Sequence, residues 1–170
     1  MINNFALYRG ATLAEQYDEA PEDSLNEFTP TEFGLRRFCY DLNCRIIIEV
    51  GAVQETIFLH PDISLALDDF PSVITKVTEG TWAVLEFPEN SLALKLIPSH
   101  EGITCTLRQY GTSVWEASAE AGREQVLHEL AHFYRGVIEQ AVALGYVEAP
   151  EGRQLLAELP ETMGRSPSKD

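Results

Sequence analysis

The sequence predicts an α+β fold, with an antiparallel sheet followed by a long amphipathic helix, and three observations carry that prediction. Apolar and polar residues alternate with period two over much of the stretch from 34 to 110. Short connections rich in Pro, Gly, Asn and Ser separate the strand-like runs. Near Ser113 the apolar spacing changes to that of a helix, which segregates the strands from the major helix. About six strands in a meander are expected, with a helix over 118–144 covering one face and a short helix over 150–159.

The elements follow in order. Thr29-Pro30-Thr31-Glu32 has the form of a helix start, with a Thr cap, Pro at the first helical position and Glu three residues after the cap. The residues that follow compete with it. Phe38, Tyr40, Leu42, Cys44, Ile46, Ile48 and Val50 alternate with more polar neighbours, which favours strands after at most one helical turn. Whether 30–42 is helix or strand is left open by these two signals. Gly51-Ala52 predicts a turn into a strand over 54–59, ended by His60-Pro61-Asp62. Ile63, Leu65, Leu67, Phe70, Val73, Ile74 and Val77 suit a helix broken at Pro71. Three further strands are expected over 81–87, 91–97 and 103–110, with short links that imply hairpins. Ser113 and Glu116 have the spacing of a capping box ahead of the long helix, and Gly145 stops it. Residues 1–159 then form a single domain, and the polar tail 160–170, with two prolines, is expected to be disordered.

Composition limits the partners. The chain has 170 residues and is 45% apolar, enough for one sizeable core. Its 27 acids against 12 Lys and Arg give a formal net charge of −15. That field disfavours nucleic-acid phosphates and anionic lipid surfaces, both of which need basic side chains to neutralise them. No apolar run reaches the length of about 18 residues that a membrane span needs, and the first residues lack the pattern of a signal peptide. Cys39, Cys44 and Cys105 are an odd set in a chain able to fold without staples, so reduced thiols and a cytoplasmic setting are expected.

One short motif has the spacing of a catalytic site. His128-Glu129-Leu130-Ala131-His132 places two imidazoles on one helix face with a Glu between them, the arrangement that binds Zn²⁺ and activates its water. Over these five residues the chain resembles the zincin metallopeptidases. The resemblance implies His128 and His132 as metal ligands, Glu129 as the catalytic base, and a third ligand that Glu148 or Glu151 would supply from a later helix. The metzincin pattern is not met, since Arg135 stands where its Gly belongs and no third His follows. The helical wheel argues against a metal site. Val126, Leu130, Phe133, Val137, Ala141 and Leu144 form one core-facing stripe, with His128, His132, Arg135 and Glu139 nearly opposite. A solvated, partly ion-paired face is therefore the favoured reading, and no cofactor is expected. His60 and His100 are read as turn histidines, and Trp82, Trp115 and Tyr110 as aromatics closing the core.

The acids point to a partner. Between Arg9 and Arg36 there is no Lys or Arg, while Glu15, Asp18, Glu19, Glu22, Asp23, Glu27 and Glu32 fall in that stretch. An exposed acidic loop of this kind steers a basic protein, and Glu15, Asp18, Glu19, Glu22 and Asp23 are the expected contact residues. This stretch, the strand run 45–59 and the helix around 127–138 together resemble small acidic bacterial toxin-immunity proteins at the level of architecture. The resemblance implies a non-enzymatic inhibitor that binds a basic toxin. The zinc peptidase and a housekeeping domain stand as the alternatives.

Overall fold

In this computed structural model, which describes residues 5–14 and 19–161, the chain is α+β, as its hydrophobic periods predict. The strands number seven among those residues and fall into two antiparallel sheets in place of the expected single meander. The first sheet has the order β1 (Phe5–Leu13), β2 (Cys44–Val50), β3 (Val53–Phe58). The second has the order β4 (Ala83–Phe87), β5 (Leu92–Pro98), β6 (Ile103–Gln109), β7 (Trp115–Ala121). The helices are α1 (Pro30–Asp41), α2 (Phe70–Thr78), α3 (Arg123–Ala143) and α4 (Ala149–Ala157), with short helical turns across residues 59–69.

The capping signal at Thr29 prevails over the alternation that follows it. Thr29 Oγ1 accepts the N–H of Glu32, and the Glu32 carboxylate accepts the N–H of Thr29 at 2.7 Å, so two orphan donors are satisfied at once. Once α1 is nucleated, Leu35, Phe38, Cys39 and Leu42 fall at i, i+3, i+4 and i+7 and face the core. The strand expected from Phe38, Tyr40 and Leu42 thus starts only at Cys44. In β2, Ile46, Ile48 and Val50 are buried and alternate with Arg45, Ile47 and Glu49, the predicted period. The turn at Gly51-Ala52 also stands: Val50 pairs with Val53, and Gly51 has φ +60°, which a two-residue hairpin requires.

Two strands escaped the sequence reading. β1 pairs antiparallel with β2, Phe5 opposite Val50 and Leu7 opposite Ile48. β7 occupies the place of the expected capping box at Ser113 and Glu116: Trp115, Ala117 and Ala119 alternate with Glu116, Ser118 and Glu120 against β6. The major helix accordingly begins at Arg123, five residues later than its predicted start at 118.

The two sheets and the helices share one core. β2 lies against β6 and β7, and α3 packs on β1, α1, α2 and α4. Val126, Leu130, Phe133, Val137 and Ala141 are buried as the wheel predicts, whereas Leu144, past the helix end, is 52% exposed. Phe70 at the start of α2 stacks on Phe133 and Tyr134 at centroid distances of 5.6 and 6.0 Å. Each such fully buried side chain stabilises the fold by roughly 1.5–3 kcal/mol relative to exposure. Trp115 and Tyr110 are partly buried, but Trp82 is 65% exposed and does not close the core. Cys39, Cys44 and Cys105 are free and buried. Desolvation pushes the thiols of Cys39 and Cys105 up to about 12, so neither is a nucleophile at neutral pH. No helix among the described residues is long and apolar enough to cross a membrane.

Candidate functional site

The motif helix is oriented by what it covers. β1 is an edge of its sheet, and an open edge leaves backbone groups unpaired. α3 supplies partners for them. Gln125 Nε2 donates to the Phe5 carbonyl at 3.1 Å, and Glu129 Oε2 accepts the N–H of Leu7 at 3.4 Å. Gln140 accepts from Arg9 about three turns further along α3. Glu129 therefore points at the strand edge, while His128 and His132 lie exposed, their rings stacked at 5.6 Å. Glu148 and Glu151 line a different cavity from the one that His132 borders with Tyr8 and Arg9. Among the described residues no group of three His, Cys, Asp or Glu side chains is placed to hold a metal ion.

The other histidines are also apart. His60 meets the Tyr40 ring edge-on at 5.3 Å, and its N–H donates to Asn43 Oδ1 at 2.9 Å. His100 borders a shallow depression with Ser99, Glu101 and Glu120.

Of the acidic contact residues expected from the sequence, Glu15 and Asp18 lie outside the described residues. Glu19 and Glu22 are exposed. Asp23 has a structural duty: its carboxylate accepts the N–H of Glu27 at 2.8 Å and of Phe28 at 3.3 Å, which shapes the turn leading into α1. The turn leads into Thr29, which is one of the residues lining a cavity.

That cavity, of about 710 Å³, is the candidate site. Its walls are the start of α1, Asp68 and Pro71 around the start of α2, Tyr134 of α3, the α3–α4 link and the face of α4. Two glycines set the walls close together. A Cβ on Gly34 would overlap the carbonyl oxygen of Tyr146, so α1 sits directly on the α3–α4 link. A Cβ on Gly152 would overlap the Val142 side chain, which brings α4 against α3. Leu35, Pro71, Val147 and Leu155 give the lining its apolar part. Glu32, Asp68, Glu148, Glu151 and Glu158 give it charge, and no Lys or Arg lines it.

Tyr134 forms part of the lining although the residue is only 2% exposed. Its hydroxyl has no hydrogen-bond partner among the described residues. Desolvation, then Glu158 and Asp68, push the phenol up, so it stays neutral and can both donate and accept. The carboxyl of Asp68 is also raised, first by desolvation and then by Glu32, while Arg36 pulls it the other way. Arg36 itself is not part of the lining; its guanidinium lies over the Phe28 ring at 4.3 Å.

The sequence reading named Glu148 and Glu151, but as zinc ligands, and missed Tyr134, Asp68 and Glu158. A signal for the α4 face was present. Glu151, Gln154, Leu155 and Glu158 recur at i, i+3, i+4 and i+7, which puts three polar residues and one leucine on one helical face. Fold and cavity together define an α+β protein with a carboxylate-lined cleft. No protein-family model matches the chain, and no curated protein and no solved structure matches it either.

Proposed function

We propose that the chain is a non-enzymatic binding protein whose partner is a basic protein, in the manner of an immunity-type inhibitor that neutralises a basic toxin. The observation that carries this reading is the carboxylate-lined cavity, free of Lys and Arg in its lining. Negative charge gathered on one lining favours a cationic partner over a neutral or anionic one. The net charge of −15 adds long-range attraction for the same class of partner. Glu129 is committed to the β1 edge, so the motif helix supports a structural role better than a peptidase one.

The test replaces Glu148, Glu151 and Glu158, all exposed, by Gln and measures equilibrium binding of a synthetic polyarginine peptide. The expected result is weakened binding at low salt, with the gap between variant and parent closing as salt screens the charges. Equal binding by parent and variant at low salt would take the cavity out of the binding surface.

A further inference from the structure

We infer that the cavity between α1, α3 and α4 receives an arginine side chain of the basic partner, its guanidinium seated on the Tyr134 hydroxyl between Asp68 and Glu158. The inference rests on the binding-protein reading and adds the residue class that enters and the atom that meets it.

The Tyr134 hydroxyl is the first ground. The residue is only 2% exposed, its hydroxyl has no hydrogen-bond partner among the described residues, and that oxygen is not enclosed, so its access is to the cavity that Tyr134 lines. Its ring is fixed by stacking on Phe70, so the hydroxyl is held where it stands on the cavity side. A ligand group placed there meets a hydroxyl whose position is already fixed by the packing of its ring.

The lining then selects the ligand. Asp68, Glu148, Glu151 and Glu158 accept hydrogen bonds and carry negative charge, and the Glu32 carboxylate is already taken up by the Thr29 N–H. Gln154 brings the one side-chain amide. The occupant must therefore be cationic and rich in donors. Leu35, Pro71 and Leu155 give it an apolar wall, which suits a methylene stem behind the charge. A planar guanidinium offers five N–H donors in a fork and is less strongly hydrated than an ammonium, so it can meet the phenol and both flanking carboxylates together. The volume of about 710 Å³ lies in the range of ligand clefts and exceeds what a small ion would fill.

The experiment is a titration of the full chain, followed through the backbone amides of Gly145, Val147 and Gly152, which border the cavity or seat its wall. The probes are acetyl-arginine methylamide, its lysine counterpart, and the citrulline derivative as a neutral isostere. Expected are saturable shifts at those amides with arginine, weaker binding of lysine and none of citrulline. Y134F keeps the stacked ring and should lower arginine affinity about tenfold, the loss of one hydrogen bond to a charged group. E158Q, at an exposed position, should lower it while leaving the fold intact. Equal shifts with citrulline, no saturation with arginine, or unchanged affinity in Y134F would overturn the inference. If arginine fails while a polyarginine peptide still binds in a salt-dependent manner, the seat on Tyr134 falls and the binding-protein reading stands. If both fail, both fall.

Discussion

The carboxylate of Glu129 accepts the backbone N–H of Leu7 at 3.4 Å, so the acid between His128 and His132 braces the open edge of β1. With Gln125 on the Phe5 carbonyl, it gives that edge partners that a neighbouring strand would otherwise supply. Glu129→Gln retains an acceptor and should change stability by no more than about 0.5 kcal/mol. Glu129→Ala should cost about 0.5–1.5 kcal/mol and speed hydrogen exchange at Leu7. Elemental analysis after purification without added metal is expected to show no stoichiometric zinc. One zinc per chain, with Glu129→Gln abolishing a peptidase activity while the metal stays bound, would reverse the functional reading.

Two glycines should respond in opposite directions. Gly34→Ala forces its Cβ onto the Tyr146 carbonyl, which is backbone and cannot turn aside, so a loss of roughly 1–3 kcal/mol is expected. Gly136, in the middle of α3, has open space around the position of a Cβ. Gly136→Ala should therefore stabilise by about 0.4–1 kcal/mol through the unfolded chain. Chemical denaturation of the two variants reads both signs.

Tyr134 separates packing from hydrogen bonding. Its ring stacks on Phe70, while its hydroxyl has no partner among the described residues. Tyr134→Phe should leave stability unchanged or slightly higher, and Tyr134→Ala should cost about 3–5 kcal/mol. A clear loss on Tyr134→Phe in thermal melts would mean that the hydroxyl is satisfied after all.

Asp62 gives a pH prediction. It is fully buried, with Oδ2 accepting Phe58 N–H at 2.8 Å and Asn90 Nδ2 at 2.6 Å, and with Oδ1 unpartnered among the described residues. Burial raises its carboxyl above the ordinary 3.8, and the two hydrogen bonds only partly oppose this. The folded chain therefore holds this proton at pH values where the unfolded chain has lost it. That contribution to stability is complete on the acid side of 3.8 and is lost as pH rises through the raised folded value. Asp62→Asn should flatten the difference between melts at mildly acidic and neutral pH. An unchanged slope would assign the pH dependence elsewhere.

Local signals made much of the fold legible. The Thr29–Glu32 box marked the start of α1, Gly51-Ala52 marked a hairpin, and Ile46, Ile48 and Val50 marked a buried strand face. The errors arose where two periods fit the same residues. Phe38 and Leu42 satisfy i, i+4 as well as alternation, and only the cap upstream decides between them. β7 was hidden because Ala117 and Ala119 are small and helix-favouring, so its pairing with β6 overrode local propensity. The cavity was not legible, because Leu35, Asp68, Tyr134 and Glu158 meet only through tertiary packing.

If the acidic surface engages a basic protein, its carboxylates set the association rate. Glu15, Asp18, Glu19 and Glu22 are replaced by Gln or Asn, with Asp23 kept because it shapes the turn before α1. Association of a polyarginine peptide is then timed by stopped flow at low and high salt. Expected are a slower association rate at low salt, little change in dissociation, and convergence with the parent once screening shortens the reach of charge to a few ångströms, about 3 Å at 1 M. Association at the parent's rate at low salt would contradict this role of the acidic surface.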